Sequence, residues 1–126
     1  MGGRVEPEAG RADAYDGDMR VLTVDGRPVG AVEMADSYGT RRKGLLGRDG
    51  LDGAIWLMPC RHVHTMGMRF AIDVALVDRD GRVLHVQTMP PRRLGAMRRR
   101  SRSVLEAEAG AFRRWGVAPG AVLAAQ

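Results

Sequence analysis

The sequence has one cysteine, few aromatic residues and no long apolar run, and each of these scarcities excludes a class of protein. Cys60 alone cannot form an internal disulfide, which agrees with a reducing compartment. No apolar stretch approaches the roughly eighteen residues that a membrane-spanning helix needs. With two Phe, two Tyr and two Trp among 126 residues, aliphatic side chains and methionine must fill most of any core.

The chain length suits one domain preceded by a polar segment. A length of 126 residues is enough for one hydrophobic core. Residues 1–18 carry two arginines against five carboxylates and show no periodicity. We therefore predict a disordered acidic leader there and a single domain over residues 19–126. No apolar run follows the first charges, as it would in a secretory signal, so we expect a cytoplasmic protein.

The clearest strand signal is the stretch FAIDVALVD, residues 70–78. Its side chains alternate between two faces: Phe70, Ile72, Val74 and Leu76 on one, and Ala71, Asp73, Ala75 and Val77 on the other. The following DRDG predicts a hairpin turn, and RVLHVQTM predicts the returning strand. Because both faces are mostly apolar, we expect both to be covered.

Further short elements are predicted on both sides of this hairpin. Strands are predicted at Met19–Val24, Val29–Met34, Ala54–Met58, Ser103–Ala107 and Ala121–Ala124. The Asp25-Gly26 dipeptide predicts a hairpin turn between the first two of them. A short helix is predicted from Asp36 or Ser37 to about Leu46, and one or two helical turns before Gly116. The pattern predicts a mainly β protein: a single small jelly-roll-like β-sandwich or partly open barrel with one or two short helices.

Several motifs, taken in order, resemble one known family. "RRKGLLGRDGL", "PCRHVHTMGMRFAIDVALVDRDGRV", "SVLEAEAG" and "GVAPGAVL" are similar to domain of unknown function 192, over roughly residues 20–124. The resemblance implies a small β-sandwich of jelly-roll type. It implies no chemistry, because the family's role is not established. The family's proline before Ile-Asp is Ala71 here.

The stretch from Cys60 to His64 raises the possibility of a metal site. In an extended chain Cys60, His62 and His64 share one face, and a thiolate with two imidazoles suits zinc. The alternative interpretation is that His64 bonds a backbone carbonyl while Cys60 acts as a small hydrophobe. We expect no cofactor, with zinc at these three residues as the alternative.

Asp73 is a carboxylate on an otherwise apolar face, so it needs hydrogen-bonding partners. We expect it to tie a neighbouring loop or arginine into the fold rather than to act in acid–base chemistry.

We expect a non-catalytic module that binds an unknown small molecule or protein. Soft and polar side chains near the longest motif predict the ligand surface: His62, His64, Met66, Arg69 and Asp73. A metal-dependent enzyme is the alternative.

An arginine-rich segment follows the Pro90-Pro91 pair, and we refer to residues 92–102 as the arginine loop. Its six cations are Arg92, Arg93, Arg98, Arg99, Arg100 and Arg102. Such a run is typical of a solvated loop. It also supports an alternative in which the loop binds nucleic acid or another polyanion. No aromatic residue interleaves the arginines, so stacking on single strands has no support.

Elemental analysis of protein purified without a histidine tag tests the metal alternative. A tight site predicts about one equivalent of zinc, lost when Cys60 and His64 are changed to alanine. Less than about a tenth of an equivalent would exclude the site.

Overall fold

The structure, a computed structural model, describes residues 18–35, 53–60 and 69–126. These residues form seven strands and one short helix, in this order: β1 (Asp18–Val24), β2 (Arg27–Ala35), β3 (Ala54–Leu57), β4 (Ile72–Val77), β5 (Val83–Met89), β6 (Ser103–Glu108), α1 (Ala111–Trp115) and β7 (Leu123–Ala125).

The seven described strands belong to one sheet with the order β5-β4-β6-β3-β2-β1-β7. Neighbouring strands are antiparallel except β2 and β3, which are parallel. Parallel neighbours need a long crossover connection, and the chain between Ala35 and Gly53 supplies it. The helix predicted up to about Leu46 falls in this connection and lies outside the described residues.

The two ends of the sheet meet, so that the sheet curls into a half-barrel. Val83 N–H donates to the Ala121 carbonyl at 2.8 Å, and Leu123 N–H donates to the Gly81 carbonyl at 2.8 Å. Gly120 N–H donates to the Val83 carbonyl at 2.9 Å. These contacts join the start of β5 to the start of β7. The mainly β prediction is confirmed. Of the two architectures predicted, the partly open barrel is the one that describes this single sheet.

Both faces of the central strands are buried. One apolar cluster draws residues from all seven described strands, so it fills the space that the curled sheet encloses. Ala111 and Phe112 of α1 pack into this inner cluster. A second cluster, with Ile55, Ile72 and Val74, covers the outer face of the middle strands. The alternation predicted for residues 70–77 is therefore confirmed, since its two sets of side chains enter different clusters.

The two predicted hairpin turns are present. Asp25 and Gly26 connect β1 to β2, whose pairing shifts register where Thr23 opposes Pro28. Proline cannot donate to the ladder, so a bulge beside it is expected. At the second turn one Asp78 carboxylate oxygen accepts two backbone N–H groups, from Asp80 at 2.8 Å and Arg82 at 2.9 Å. Asp78 thus shapes the hairpin turn.

The predicted last strand is displaced along the chain. Ala121–Ala124 was expected, whereas β7 spans Leu123–Ala125, with an isolated bridge at Val122. The difference has a physical reason: backbone groups of Gly120 and Ala121 bond to Val83 across the closure and do not extend the ladder with β1.

Gly81 and Gly26 have similar left-handed backbones, but only Gly81 lies at the closure. Comparing alanine at the two positions therefore separates the steric demand of the closure from the cost of the backbone angle itself. A Cβ on Gly81 (φ +87) would lie 2.6 Å from the Leu123 carbonyl oxygen, whereas Gly26 (φ +85) has nothing within 4 Å. We expect Gly26→Ala to lower the free energy of unfolding by about 1 kcal/mol and Gly81→Ala by about 3 kcal/mol or more. Urea denaturation of both variants measures this, and equal losses would contradict the close approach at Gly81.

Candidate functional site

A cleft of about 450 Å³ opens at the end of the half-barrel where its two edges meet. The β4–β5 turn, the start of β6, the end of β3 and the first residue of β7 line it. The pairing of β4 with β6 and of β6 with β3 brings three of these segments together, and the closure adds the first residue of β7. Ligand sites occur preferentially at the mouths of β-barrels, so this cleft is the candidate site.

The floor of the cleft is apolar and fixed. Trp56 and Leu123 are buried inner-face residues, while Met58 is 37% exposed. The Trp56 indole N–H donates to the Ser103 hydroxyl at 2.8 Å, which satisfies the one polar group of the ring. The floor is therefore rigid, with a flexible methionine at its edge.

The rim of the cleft carries charges of both signs, but their availability differs. Asp78 is engaged in its own turn, whereas the Arg79 side chain forms no hydrogen bond or ion pair with the described part of the chain. Arg102 uses one nitrogen, Nη1, to bond the carbonyls of Arg99 at 3.0 Å and Ser101 at 3.1 Å. Its other guanidinium donors have no described acceptor. The Asp80 carboxylate likewise has no described partner, so the groups of the rim that remain open to a ligand are two guanidinium groups and one carboxylate.

Asp73, one of the predicted ligand residues, is almost fully buried and holds α1 against the sheet. Its carboxylate accepts hydrogen bonds from Thr88 Oγ1 at 2.6 Å, Gly110 N–H at 2.9 Å and Phe112 N–H at 3.1 Å. Gly110 is the N-cap residue of α1 and has no side chain to cap it. Asp73 from β4 performs that capping from a distance. These contacts agree with the expectation that Asp73 ties a neighbouring loop into the fold.

The other end of α1 is also bound by the sheet. Arg27 at the start of β2 donates from Nη2 to the Trp115 carbonyl at 3.4 Å. The Trp115 ring packs over Gly30, where a Cβ would lie 3.5 Å from the ring. The Asp73 carboxylate at the N-terminus and the Arg27 guanidinium at the C-terminus both interact favourably with the helix dipole.

The remaining predicted ligand and metal residues are described only in part. Cys60 is half-buried beside the outer cluster, and its N–H donates to the Arg102 carbonyl at 2.8 Å. Arg69 is exposed, and His62, His64 and Met66 lie outside the described residues. Among the residues that the structure describes, no three His, Cys, Asp or Glu side chains could hold a metal ion together. The zinc hypothesis at Cys60, His62 and His64 stays a prediction.

The predicted arginine loop is exposed over most of its length. Its guanidinium-bearing residues are all exposed: Arg92, Arg93, Arg98, Arg99, Arg100 and Arg102. Only Arg102 also lines the cleft. Binding of a polyanion by these arginines stays a prediction.

Sequence reasoning missed most of the cleft. Trp56 and Met58 lie in an apolar run that indicated only a buried strand, and Arg79 lies in a stretch that indicated only a turn. A signal was present at Arg102, because it belongs to the arginine loop. No local pattern could show that Leu123 would face these residues.

The fold and cleft define a class of small, mainly β half-barrel proteins with a partly charged mouth. The chain belongs to the family DUF192, domain of unknown function 192, described as an uncharacterized ACR, whose model matches residues 20–125. The match confirms the resemblance of the sequence motifs.

Two solved structures share this fold. A protein from Sinorhizobium meliloti 1021, described as a candidate transcription regulator, is 24% identical with a TM-score of 0.64, over 85% of this chain and 91% of that one. A protein of unknown function from Novosphingobium aromaticivorans DSM 12444 is 20% identical with a TM-score of 0.67, over 97% and 99%. At these identities the likeness shows the fold alone. No curated protein matches the chain.

Substitution of Asp73 tests its role in holding α1. Asp73→Ala leaves three donors without their acceptor, so we expect the free energy of unfolding to fall by about 3 kcal/mol. Asp73→Asn keeps one carbonyl oxygen and is expected to lose less. Asp80→Ala, at an exposed carboxylate, is the control and is expected to change stability by about 0.5 kcal/mol or less. Equal urea midpoints for Asp73→Ala and Asp80→Ala would exclude the capping role.

Proposed function

We propose that the protein is a non-catalytic binding module and that its cleft takes a small ligand with an apolar group and an anionic group. The observation that carries the proposal is the arrangement of Arg79 and Arg102 over the floor formed by Trp56 and Met58. An apolar body would cover the floor while its carboxylate or phosphate would meet the two guanidinium groups.

The electrostatics of the whole chain favour an anion. The formal net charge is +5 at pH 7, and the arginine loop that ends at Arg102 concentrates part of it beside the cleft. Asp78 and Asp80 also line the cleft and balance the formal charges of Arg79 and Arg102. The preference for an anion therefore rests on the arginine loop beside the cleft and on the guanidinium donors of Arg79 and Arg102 that have no described acceptor.

The chemistry of the described lining supports binding rather than catalysis. Ser103 carries the one hydroxyl group among the described lining residues, and it accepts the Trp56 hydrogen bond. A serine nucleophile needs an adjacent general base, and the described lining includes no histidine. A metal-dependent enzyme with Cys60, His62 and His64 is the alternative, and the zinc measurement decides it.

The predicted ligand surface adjoins this cleft only in part. Cys60, which precedes His62, His64 and Met66 in the chain, donates its backbone N–H to the carbonyl of Arg102, a cleft residue. We keep His62, His64 and Met66 in the proposed ligand surface, as the sequence predicts them. Arg69 and Asp73 lie at the start of β4, whereas the cleft opens past the end of that strand, so these two residues do not line it.

Two further predictions accompany the proposal. Location in the cytoplasm is supported by the single cysteine. Among the described residues, no helix has the length and apolar character needed to cross a membrane.

Binding of nucleic acid through the arginine loop is a second candidate function, supported by the description of the Sinorhizobium meliloti protein as a candidate transcription regulator.

Titration with a matched pair of small molecules tests the cleft. Phenylacetate has an apolar ring and a carboxylate, and phenylacetamide is its neutral analogue. In ¹H–¹⁵N spectra, we expect phenylacetate to shift the signals of the Trp56 indole N–H and of the Arg79 and Ser103 backbone N–H groups. Phenylacetamide should shift the same signals less. Arg79→Ala with Arg102→Ala should weaken phenylacetate binding about tenfold or more, because a charge-assisted contact is lost.

A second pair of arginines supplies the control. Arg113→Ala with Arg114→Ala removes the same charge from the exposed face of α1 and should leave the affinity unchanged. Equal shifts for phenylacetate and phenylacetamide, or equal effects of the two arginine pairs, would overturn the proposal that the cleft selects an anion.

A further inference from the structure

We propose that the arginine loop docks the protein onto an anionic lipid surface, with Leu94 and Met97 entering the boundary of the acyl chains. This proposal concerns a surface separate from the cleft floor and goes beyond ligand binding. It rests on three observations: two exposed apolar side chains, the arginines beside them and the anchoring of the loop to the sheet.

Leu94 and Met97 are the most exposed large apolar side chains among the described residues, at 75% and 62%. Single exposed apolar side chains are common on protein surfaces. Here two lie within four residues on one loop, directly beside Arg93 and Arg98. Apolar groups flanked by cations are what an interfacial lipid-binding segment presents to a bilayer.

The loop is anchored so that these two side chains cannot both withdraw into the core. Ala96, between them, packs against the outer cluster, and its N–H donates to Gln87 Oε1 of β5 at 2.8 Å. Further along, the Ser101 hydroxyl donates to the Cys60 carbonyl at 3.3 Å. With Ala96 fixed, Leu94 and Met97 remain on the solvent side of the loop. A surface already in its binding geometry loses little conformational entropy on docking.

The charges of the loop are available to lipid phosphates. No acidic residue occurs between Asp80 and Glu106, and the guanidinium groups of Arg92, Arg99 and Arg100 form no ion pair with a described carboxylate. Arg98 donates to His85 Nδ1 at 3.2 Å, which holds its side chain at the sheet edge. Each arginine near an anionic bilayer strengthens binding about fivefold.

Lipid fits these observations better than nucleic acid does. Binding of single strands relies on aromatic stacking, and residues 90–102 contain no aromatic side chain. Reading of a duplex groove usually needs a helix or a β-ribbon, whereas residues 95–102 have no regular secondary structure. Phosphate contacts would explain the arginines alone, but an acyl boundary also explains Leu94 and Met97.

Sedimentation with vesicles tests the proposal on the full chain. The probes are vesicles of phosphatidylcholine alone and vesicles with about 30% phosphatidylglycerol, a content that gives a negative surface potential. We expect binding to the anionic vesicles, weakened by salt, and little binding to the neutral ones. Leu94→Ser with Met97→Ser should reduce the partition coefficient about tenfold. Arg99→Ala with Arg100→Ala should reduce it about thirtyfold at low salt.

Each variant has a matched control elsewhere on the surface. Met19→Ser with Val21→Ser removes two exposed apolar side chains from β1 (54% and 44% exposed) and should leave vesicle binding unchanged. Arg113→Ala with Arg114→Ala removes two charges from α1 and should reduce it much less than the loop pair does. All four pairs alter exposed side chains, so circular dichroism should show an unchanged fold.

Three outcomes would overturn the proposal. The first is no binding to either vesicle, or equal binding to both. The second is equal loss from a loop pair and its control, which removes the assignment to the loop. The third is that vesicles do not bind whereas duplex DNA does, and that DNA binding depends on Arg99 and Arg100 but is unaffected by Leu94→Ser with Met97→Ser. That result would identify the loop as a nucleic-acid surface.

Discussion

Three backbone hydrogen bonds between residues 81–83 and residues 120–123 join the two ends of the sheet, and the rest of the structure depends on them. An open sheet exposes unpaired backbone groups along its edge strands, and such edges invite association with other chains. Here backbone groups at the start of β5 form hydrogen bonds with backbone groups around the start of β7. The same contacts place Leu123 beside the β4–β5 turn and so create the mouth of the half-barrel. The closure therefore links the stability of the fold to the Leu123 wall of the cleft.

The enclosed space needs a cover, and a helix too short to be stable alone provides it. Helices of fewer than about twelve residues are marginal in water, and α1 has five residues. Burial of Phe112 and three hydrogen bonds with the sheet, two to Asp73 and one from Arg27, compensate for the shortness of the helix. Sheet, helix and closure thus stabilise one another, and the charged side chains on the rim and loop remain available for binding.

Local chemistry made much of the fold predictable from the sequence. The alternation around Asp73 predicted both faces of β4, and the Asp-Gly dipeptide and DRDG stretch predicted two hairpin turns. The need of a buried carboxylate for donors predicted that Asp73 would tie a loop, although not that the loop would be the start of α1. The closure could not be predicted, because Gly81 and Leu123 are distant in sequence and their contact is between backbone atoms. The cleft was missed because separate strands supply its lining: the β4–β6 and β6–β3 pairings bring Trp56, Arg79 and Arg102 together, and the closure adds Leu123.

Native-state hydrogen exchange of the Val83, Gly120 and Leu123 amides tests the closure most directly, since these three groups donate its hydrogen bonds. If the closure belongs to the cooperative core, their free energies of exchange will approach those of the amides of β6 at the centre of the sheet. Exchange of the three amides at the rate of a fraying edge strand, while β6 stays protected, would contradict the account.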